Sequence, residues 1–250
     1  MALDSPYKIK IMGRSYILYD SEIISDPGVE IFDREHHVNN DQHSVTNLPI
    51  GKGVGRAKVV YFHSDNKNLV LKHYFRGGFV AWVVKDRYFG FDVERSRAFR
   101  EWRLLKRMID LELPVPNAVA AHVRQSLFYY RADLITQLIE NSKTLADVLV
   151  ERSIDAVQWK KIASCIKRFH DNNIYHADLN ARNILLTEKG EVYLIDFDDS
   201  DFRIGSNSWK MENLTRLKRS LLKFKKNESC FNFSEDDWLN FLEGYNQALG

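Results

Sequence analysis

The residues best suited to chemistry lie in HADLNARN, which sets Asp178 and Asn183 five positions apart. Thirteen positions after Asn183, Asp196 follows an apolar, strand-like run in YLIDFDD. Two carboxylates and a carboxamide on two adjoining loops offer oxygen ligands, which suit a divalent hard cation held against a phosphate. Upstream, LVLKHY carries Lys72, 17 residues after Gly55 in the turn Gly51-Lys52-Gly53-Val54-Gly55. Glu101 stands in RSRAFREWRLLKRMI, where a carboxylate beside an apolar helix stripe needs a cation, and Lys72 can supply it. Glu94, at the leading edge of the same helix, is the rival partner for Lys72. Taken alone, Lys72 reads as a solvated strand lysine; the ordered set gives it a role.

These residues need elements to hold them. Residues 7–19 alternate as a strand or hairpin, and 32–45 read as a polar, His-rich loop or short helix. From 47 to 74 the pattern is strand, glycine turn, strand (AKVVYFH), an SDNKN turn and a third strand, LVLKHY, bearing Lys72. Residues 95–109 form a helix with Ala98, Trp102, Leu105 and Ile109 as its apolar stripe, ended by LPVP. Strands follow at 118–123 and 127–139, then TLADVL and a longer helix over 155–173. HADLNARN is a loop after that helix, ILLT and EVYLIDF are strands, and the last 50 residues read as helical. The chain thus divides into a strand-rich half, 1–141, and a helix-rich half, 142–250.

Bulk properties fit one large domain or two lobes: 250 residues, 44% hydrophobic, 28% charged, net charge +2. Cys165 and Cys230 show no metal spacing and read as two buried free thiols of a reducing compartment. MALDSPYKIK lacks the apolar core of a signal peptide, and the longest apolar run, FVAWVV, is too short to span a bilayer. A cytosolic or membrane-surface protein is expected.

Lys on the third strand, Glu on the following helix, H-x-D-L-x-x-x-N and D-F-x, in this order over residues 51–198, resemble the protein-kinase-like fold. That resemblance implies an α+β, bilobal architecture: a small antiparallel-sheet lobe with one main helix, and a mostly helical, shortened second lobe. It also implies phosphoryl transfer from ATP, which calls for charge neutralisation and in-line positioning. Asp178 would then accept or orient the proton of the attacking hydroxyl, and Asn183 and Asp196 would hold Mg²⁺. Lys72 would pair with the phosphates and be held by Glu101. The backbone of Gly51, Gly53 and Gly55 would lie over the phosphates, where missing side chains permit close approach. GKGVG departs from G-x-G-x-x-G by one residue, so an ordinary hairpin turn is the alternative. His176 reads as structural, packing behind the loop.

The departures point away from peptide acceptors. Ala177 stands where regulated protein kinases carry Arg, Asn180 where Ser/Thr kinases carry Lys, and DFD where they have DFG. No APE follows, and 54 residues after Asp196 leave little for a peptide-docking lobe. Residues 73–100 hold six Arg/Lys against three Asp/Glu, and 210–226 hold seven against one. In the latter stretch Leu214, Leu217, Leu221 and Phe224 recur at helical spacing. The helix either lies on anionic lipid or an acidic substrate, or packs on the core with a solvated basic back. The basic runs lack the interleaved aromatics of a nucleic-acid stacking platform.

LKHYFRGG, RAFREW, LPVPNAVAAHV, HADLNARNILL and W-x-x-x-NLTRLKRSLLK are similar to the bacterial 3-deoxy-D-manno-octulosonic acid (Kdo) kinase family, relatives of the lipopolysaccharide-core heptose kinases. The resemblance implies ATP-dependent phosphorylation of Kdo at O-4, on Kdo-lipid A, by a peripheral protein of the cytoplasmic face of the inner membrane. No nucleic-acid partner is expected, and no obligate protein partner is evident in the sequence. The alternatives are a kinase for a core heptose or another hydroxyl acceptor, protein included, and an inactive binding module of kinase fold.

Overall fold

A computed structural model describes residues 6–40, 59–74, 92–126, 129–205 and 207–247. The chain divides into two compact units: Met1–Lys106 with Asn117–Leu138, and Arg107–Pro116 with Ile139–Gly250.

The first unit is built on a six-stranded sheet of β1 (Tyr7–Met12), β2 (Ser15–Asp20), β3 (Val59–Ser64), β4 (Lys67–His73), β5 (Ala118–Gln125) and β6 (Tyr130–Gln137). The order is β1-β2-β5-β6-β4-β3, and every pairing is antiparallel. Turn chemistry sets the register of β3 on β4. Asp65 and Asn66, at φ 48° and 58°, make a two-residue turn in the left-handed region that matches strand twist. Leu69 and Leu71 alternate onto one face of the sheet and join Ile17, Phe62 and Ile135 in a core closed by Ile31 and Phe32. The short helix α1 (Arg34–Asn40) follows Phe32.

Helix α2 (Arg97–Asp110) begins where Ser96 Oγ accepts the Phe99 N–H at 3.4 Å. It ends at Glu112, which takes a left-handed φ of 55°, while the Leu113 N–H closes on the Met108 carbonyl at 2.9 Å. Ala98, Trp102 and Leu105 are buried as the spacing predicts, joined by Phe99. Ile109 is a correction: it is exposed, and Met108 takes the buried place. The physical reason lies in the unit boundary, because the helix serves the first unit only to Lys106 and its last turn belongs to the second. Lys106, 5% exposed, ties α2 to β2 through Asp20 at 2.6 Å and also reaches Asn117 at 2.7 Å.

The second unit holds β7 (Ser142–Thr144), α3 (Leu145–Glu151), α4 (Ala156–Asp171), β8 (Ile174–Tyr175), β9 (Ile184–Thr187), β10 (Val192–Leu194), β11 (Asp201–Phe202), α5 (Ser208–Asn227) and α6 (Glu235–Gln247). The strands form a β10-β9-β7 sheet and a β11-β8 pair. Asp155 caps α4 by accepting the Gln158 N–H at 2.7 Å. Trp159, Ile162, Ile166 and Phe169 of α4 are buried, as are Trp238, Phe241 and Tyr245 of α6. Gly244 lets these helices meet closely: a Cβ there would stand 2.6 Å from Lys160 Cα.

Leu214, Leu217 and Leu221 of α5 are buried, so the leucine stripe of the basic segment serves the core of this unit. Cys165 is buried, and burial pushes its thiol up to about 12. Cys230 is exposed, which corrects the expectation of two buried thiols: it sits in the surface connection between α5 and α6. Among the described residues, no helix is long and apolar enough to cross a membrane.

Candidate active site

One half of the constellation lies in the first unit. Strand alternation turns Lys72 to the face opposite Leu71, and Glu101 of α2 meets it there. Lys72 Nζ donates to Glu101 Oε2 at 2.8 Å and to Oε1 at 3.1 Å. Glu101 is 4% exposed, and a carboxylate so buried requires this kind of compensation. Tyr74 Oη adds a third hydrogen bond, donating to Glu101 Oε2 at 2.6 Å, and the Lys72 ammonium stands 4.7 Å from the Tyr74 ring centre. Glu94 pairs instead with Arg103, at 2.6 Å on the surface. Sequence reasoning missed Tyr74. The signal was period two, since Lys72 and Tyr74 stand two residues apart along the strand direction. Gly51, Gly53 and Gly55 lie outside the described residues.

The other half lies in the second unit. HADLNARN runs from β8 to β9, and its polar side chains fold the loop on itself. The Asn183 N–H donates to the Asn180 carbonyl at 3.0 Å, and Asn180 Oδ1 accepts the Arg182 N–H at 2.8 Å. Asn180 Nδ2 donates to Asp178 Oδ2 at 3.1 Å and to the Asp178 carbonyl at 2.9 Å, steadying an exposed carboxylate. Asn183 Nδ2 donates to the Asp178 carbonyl at 2.9 Å. That bond fixes the amide: its nitrogen faces the carbonyl, so Oδ1 is directed elsewhere as an acceptor.

The two loops adjoin as the spacing predicts. β9 and β10 pair with Leu194 opposite Ile184, and the Ile195 N–H donates to the Asn183 carbonyl at 3.0 Å. Asp196 follows in the left-handed region at φ 65°, which turns the chain sharply after β10 and leaves the residue exposed. Phe197 is buried against Phe169 and the His176 ring.

His176 packs behind the loop. Its Nδ1 accepts the Asp178 N–H at 3.2 Å, so the ring hydrogen sits on Nε2, which donates to the Ile195 carbonyl at 3.0 Å. Asn183 and Asp196 each offer side-chain oxygen, the donor type a hard cation takes. Among the described residues, no cluster of three or more His, Cys, Asp or Glu side chains forms a metal cage.

An α+β chain whose sheet lysine is ion-paired to a helix glutamate, followed by the Asp–Asn loop and the Asp-Phe loop, has the protein-kinase-like fold. The chain belongs to the lipopolysaccharide kinase (Kdo/WaaP) family, whose pattern matches residues 36–245. It is 40% identical to a 3-deoxy-D-manno-octulosonic acid kinase of Mannheimia succiniciproducens, over 85% of this chain and 90% of the relative. It is 33% identical to proteins of the same name from Vibrio vulnificus, over 93% of this chain and 95% of the relative, and from Haemophilus influenzae, over 93% and 96%. Membership of a kinase family implies ATP as the phosphoryl donor.

Proposed function

We propose that this protein transfers the γ-phosphoryl group of ATP to a hydroxyl of Kdo, at O-4, on a Kdo-lipid A acceptor during lipopolysaccharide inner-core assembly. The single observation that carries the reading is the Lys72–Glu101–Tyr74 cluster in the same chain as the Asp178–Asn183 loop, within a lipopolysaccharide kinase family. Lys72, oriented by Glu101, neutralises phosphate charge. Asp178, steadied by Asn180, accepts or orients the proton of the attacking hydroxyl. Asn183 Oδ1 and the Asp196 carboxylate would hold Mg²⁺, which when bound would supply charge neutralisation at the phosphates. Gly51, Gly53 and Gly55 supply backbone donors to the phosphates. In this reading Lys72 and Glu101 belong to one lobe, and Asp178, Asn183 and Asp196 to the other.

The acceptor carries a carboxylate and lipid phosphates, and a basic protein surface complements it. On α5, Arg219, Lys223 and Lys226 are exposed, whereas Lys218 pairs with Glu235 at 2.8 Å and Lys225 binds the Phe233 carbonyl at 2.7 Å. With Leu214, Leu217 and Leu221 in the core and Leu222 and Met211 exposed, α5 would meet an anionic leaflet mainly through its charges, giving a peripheral protein of the cytoplasmic face. No nucleic acid and no obligate protein partner enter this reading.

The test measures ATP turnover with Kdo-lipid A, heptosylated core and a generic protein substrate. Transfer confined to Kdo-lipid A supports the assignment. Transfer to heptose or protein reassigns the acceptor, and ATP binding without transfer to any would make the chain a binding module.

A further inference from the structure

We infer that the face of the six-stranded sheet turned away from Lys72 carries a second binding site, where two facing arginines and a buried imidazole pair take the phosphate group of a small ligand. The site lies apart from the phosphoryl-transfer chemistry and does not rest on the acceptor proposed above. Strand alternation separates the two faces: Lys72 points to Glu101, whereas its neighbours Leu71 and His73 point the other way. Leu71 joins the core beside Phe32, and His73 begins a polar cluster where that core ends. A cavity of about 1030 Å³ opens there, lined by Arg14, Arg34, Arg124 and Arg131 and floored by His73, His122 and Asp133.

Register assembles the floor. Asp133 of β6 stands opposite His73 of β4 on one side and His122 of β5 on the other. His73 Nδ1 lies 2.6 Å from Asp133 Oδ1 and His122 Nδ1 lies 3.5 Å from Oδ2, so one carboxylate holds both rings. Burial pushes the Asp133 pKa up, but the two imidazoles outweigh it and keep the carboxyl below its ordinary value. His122 is 6% exposed and packs on Phe32, with ring centres 4.8 Å apart. Its Nε2 has no hydrogen-bond partner among the described residues. A buried ring nitrogen left so is costly, and a ligand in the cavity can relieve it.

Two residues further along the same strands, Arg124 faces Arg131 directly. Both are exposed at the rim of the cavity, and like charges set opposite across a strand pair repel. An anion between them replaces that repulsion with charge-assisted forks. Most nearby carboxylates are engaged elsewhere: Asp33 Oδ1 accepts the Glu35 and His36 N–H groups at 3.0 and 3.2 Å, and the Glu30 carboxylate lies against Gly28. Glu35 is the exception, exposed on the first turn of α1. A phosphate monoester carries a charge of about −2 at neutral pH, enough for both guanidiniums, where a carboxylate supplies half of that. The volume leaves room for the organic part of a small molecule. Soluble phosphate esters and lipid headgroups share this chemistry.

The experiment is calorimetry with inorganic phosphate on the full chain at low salt, with excess ADP and Mg²⁺ filling the nucleotide site. The wild type should bind phosphate with a Kd of about 1 mM or tighter. Joint replacement of Arg124→Gln and Arg131→Gln should weaken binding at least about tenfold, while Arg219→Gln on α5 should leave it within about twofold. Without phosphate, Arg124→Gln should melt no earlier than wild type, because it relieves a like-charge contact. Sedimentation with phosphatidic acid vesicles separates the two sources: a double variant that also loses the vesicles assigns a lipid headgroup, and one that keeps them assigns a soluble ester. Equal phosphate affinity in wild type and double variant, or no binding below about 10 mM, overturns the site. So does an earlier melt of Arg124→Gln, which would show that this guanidinium is paired within the fold. Each of these results leaves the kinase reading untouched.

Discussion

Acidification should destabilise this protein through His170, and the size follows from its surroundings. The imidazole is 1% exposed, and burial lowers its pKa from 6.5 to about 4, with the charge of Lys210 adding to the shift and the Asn213 hydrogen bond opposing it. An unfolded chain takes up this proton as pH falls through about 6.5, whereas the folded chain refuses it until about 4. The stability held by the neutral ring is therefore whole above the unfolded value and is lost as pH falls through that window. The separation corresponds to about 3 kcal/mol in full, of which about 2 kcal/mol is gone by about pH 5. Denaturant unfolding of the wild type and of His170→Gln, at about pH 7.5 and about pH 5, separates the contribution of His170 from that of the other histidines. Gln keeps an N–H donor toward Asn213 and does not titrate. Wild type should lose about 2 kcal/mol more than the variant between the two pH values. Equal losses would refute the reasoning, as would an NMR titration placing this imidazole near its ordinary pKa.

Three further outcomes follow from the same contacts. Gly244→Ala should cost about 1–3 kcal/mol in denaturant unfolding, because its Cβ would press on the Lys160 backbone; an unchanged midpoint would show that α4 and α6 can separate freely. Asp196→Asn should raise the Mg²⁺ concentration needed for half-maximal transfer and cut turnover by at least about tenfold, and unchanged Mg²⁺ dependence would move the metal elsewhere. Replacing Arg219, Lys223 and Lys226 with Gln should weaken binding to anionic vesicles by about 1 kcal/mol per charge at low salt. It should also slow transfer to lipid-embedded acceptor more than to a soluble Kdo analogue, and unaltered vesicle binding would leave this surface merely solvated.

What could be read in the chain was whatever repeats locally. Period two places Lys72 on β4, and helical spacing puts Glu101 beside the buried stripe of α2, so their pairing is legible in the sequence. The Asp65-Asn66 turn and the capped start of α4 carry comparable short-range signals. Tyr74 was hidden because a strand tyrosine reads as core, and only the fold shows its hydroxyl reaching Glu101. Asn213, whose buried amide donates to the His176 carbonyl, was hidden by distance, since that partner is 37 residues away; the trace it left was a polar residue on a leucine stripe. The stripe itself was ambiguous in sequence, because an apolar face suits a core and a membrane equally well. Burial of Leu214, Leu217 and Leu221 assigns it to the core. Ile109 was misplaced because periodicity cannot tell where a helix passes from one compact unit to the next.

In the function proposed above, Asp178 directs phosphate from ATP onto Kdo. Mass spectrometry of Kdo-lipid A incubated with ATP, Mg²⁺ and either wild type or Asp178→Ala tests it most directly. The wild type should add a single phosphate, with fragmentation placing it on the Kdo residue. Asp178→Ala should form that product at least about a hundredfold more slowly while still binding nucleotide. A phosphate found on lipid A or absent altogether, or an alanine variant within about threefold of wild type, would contradict the account.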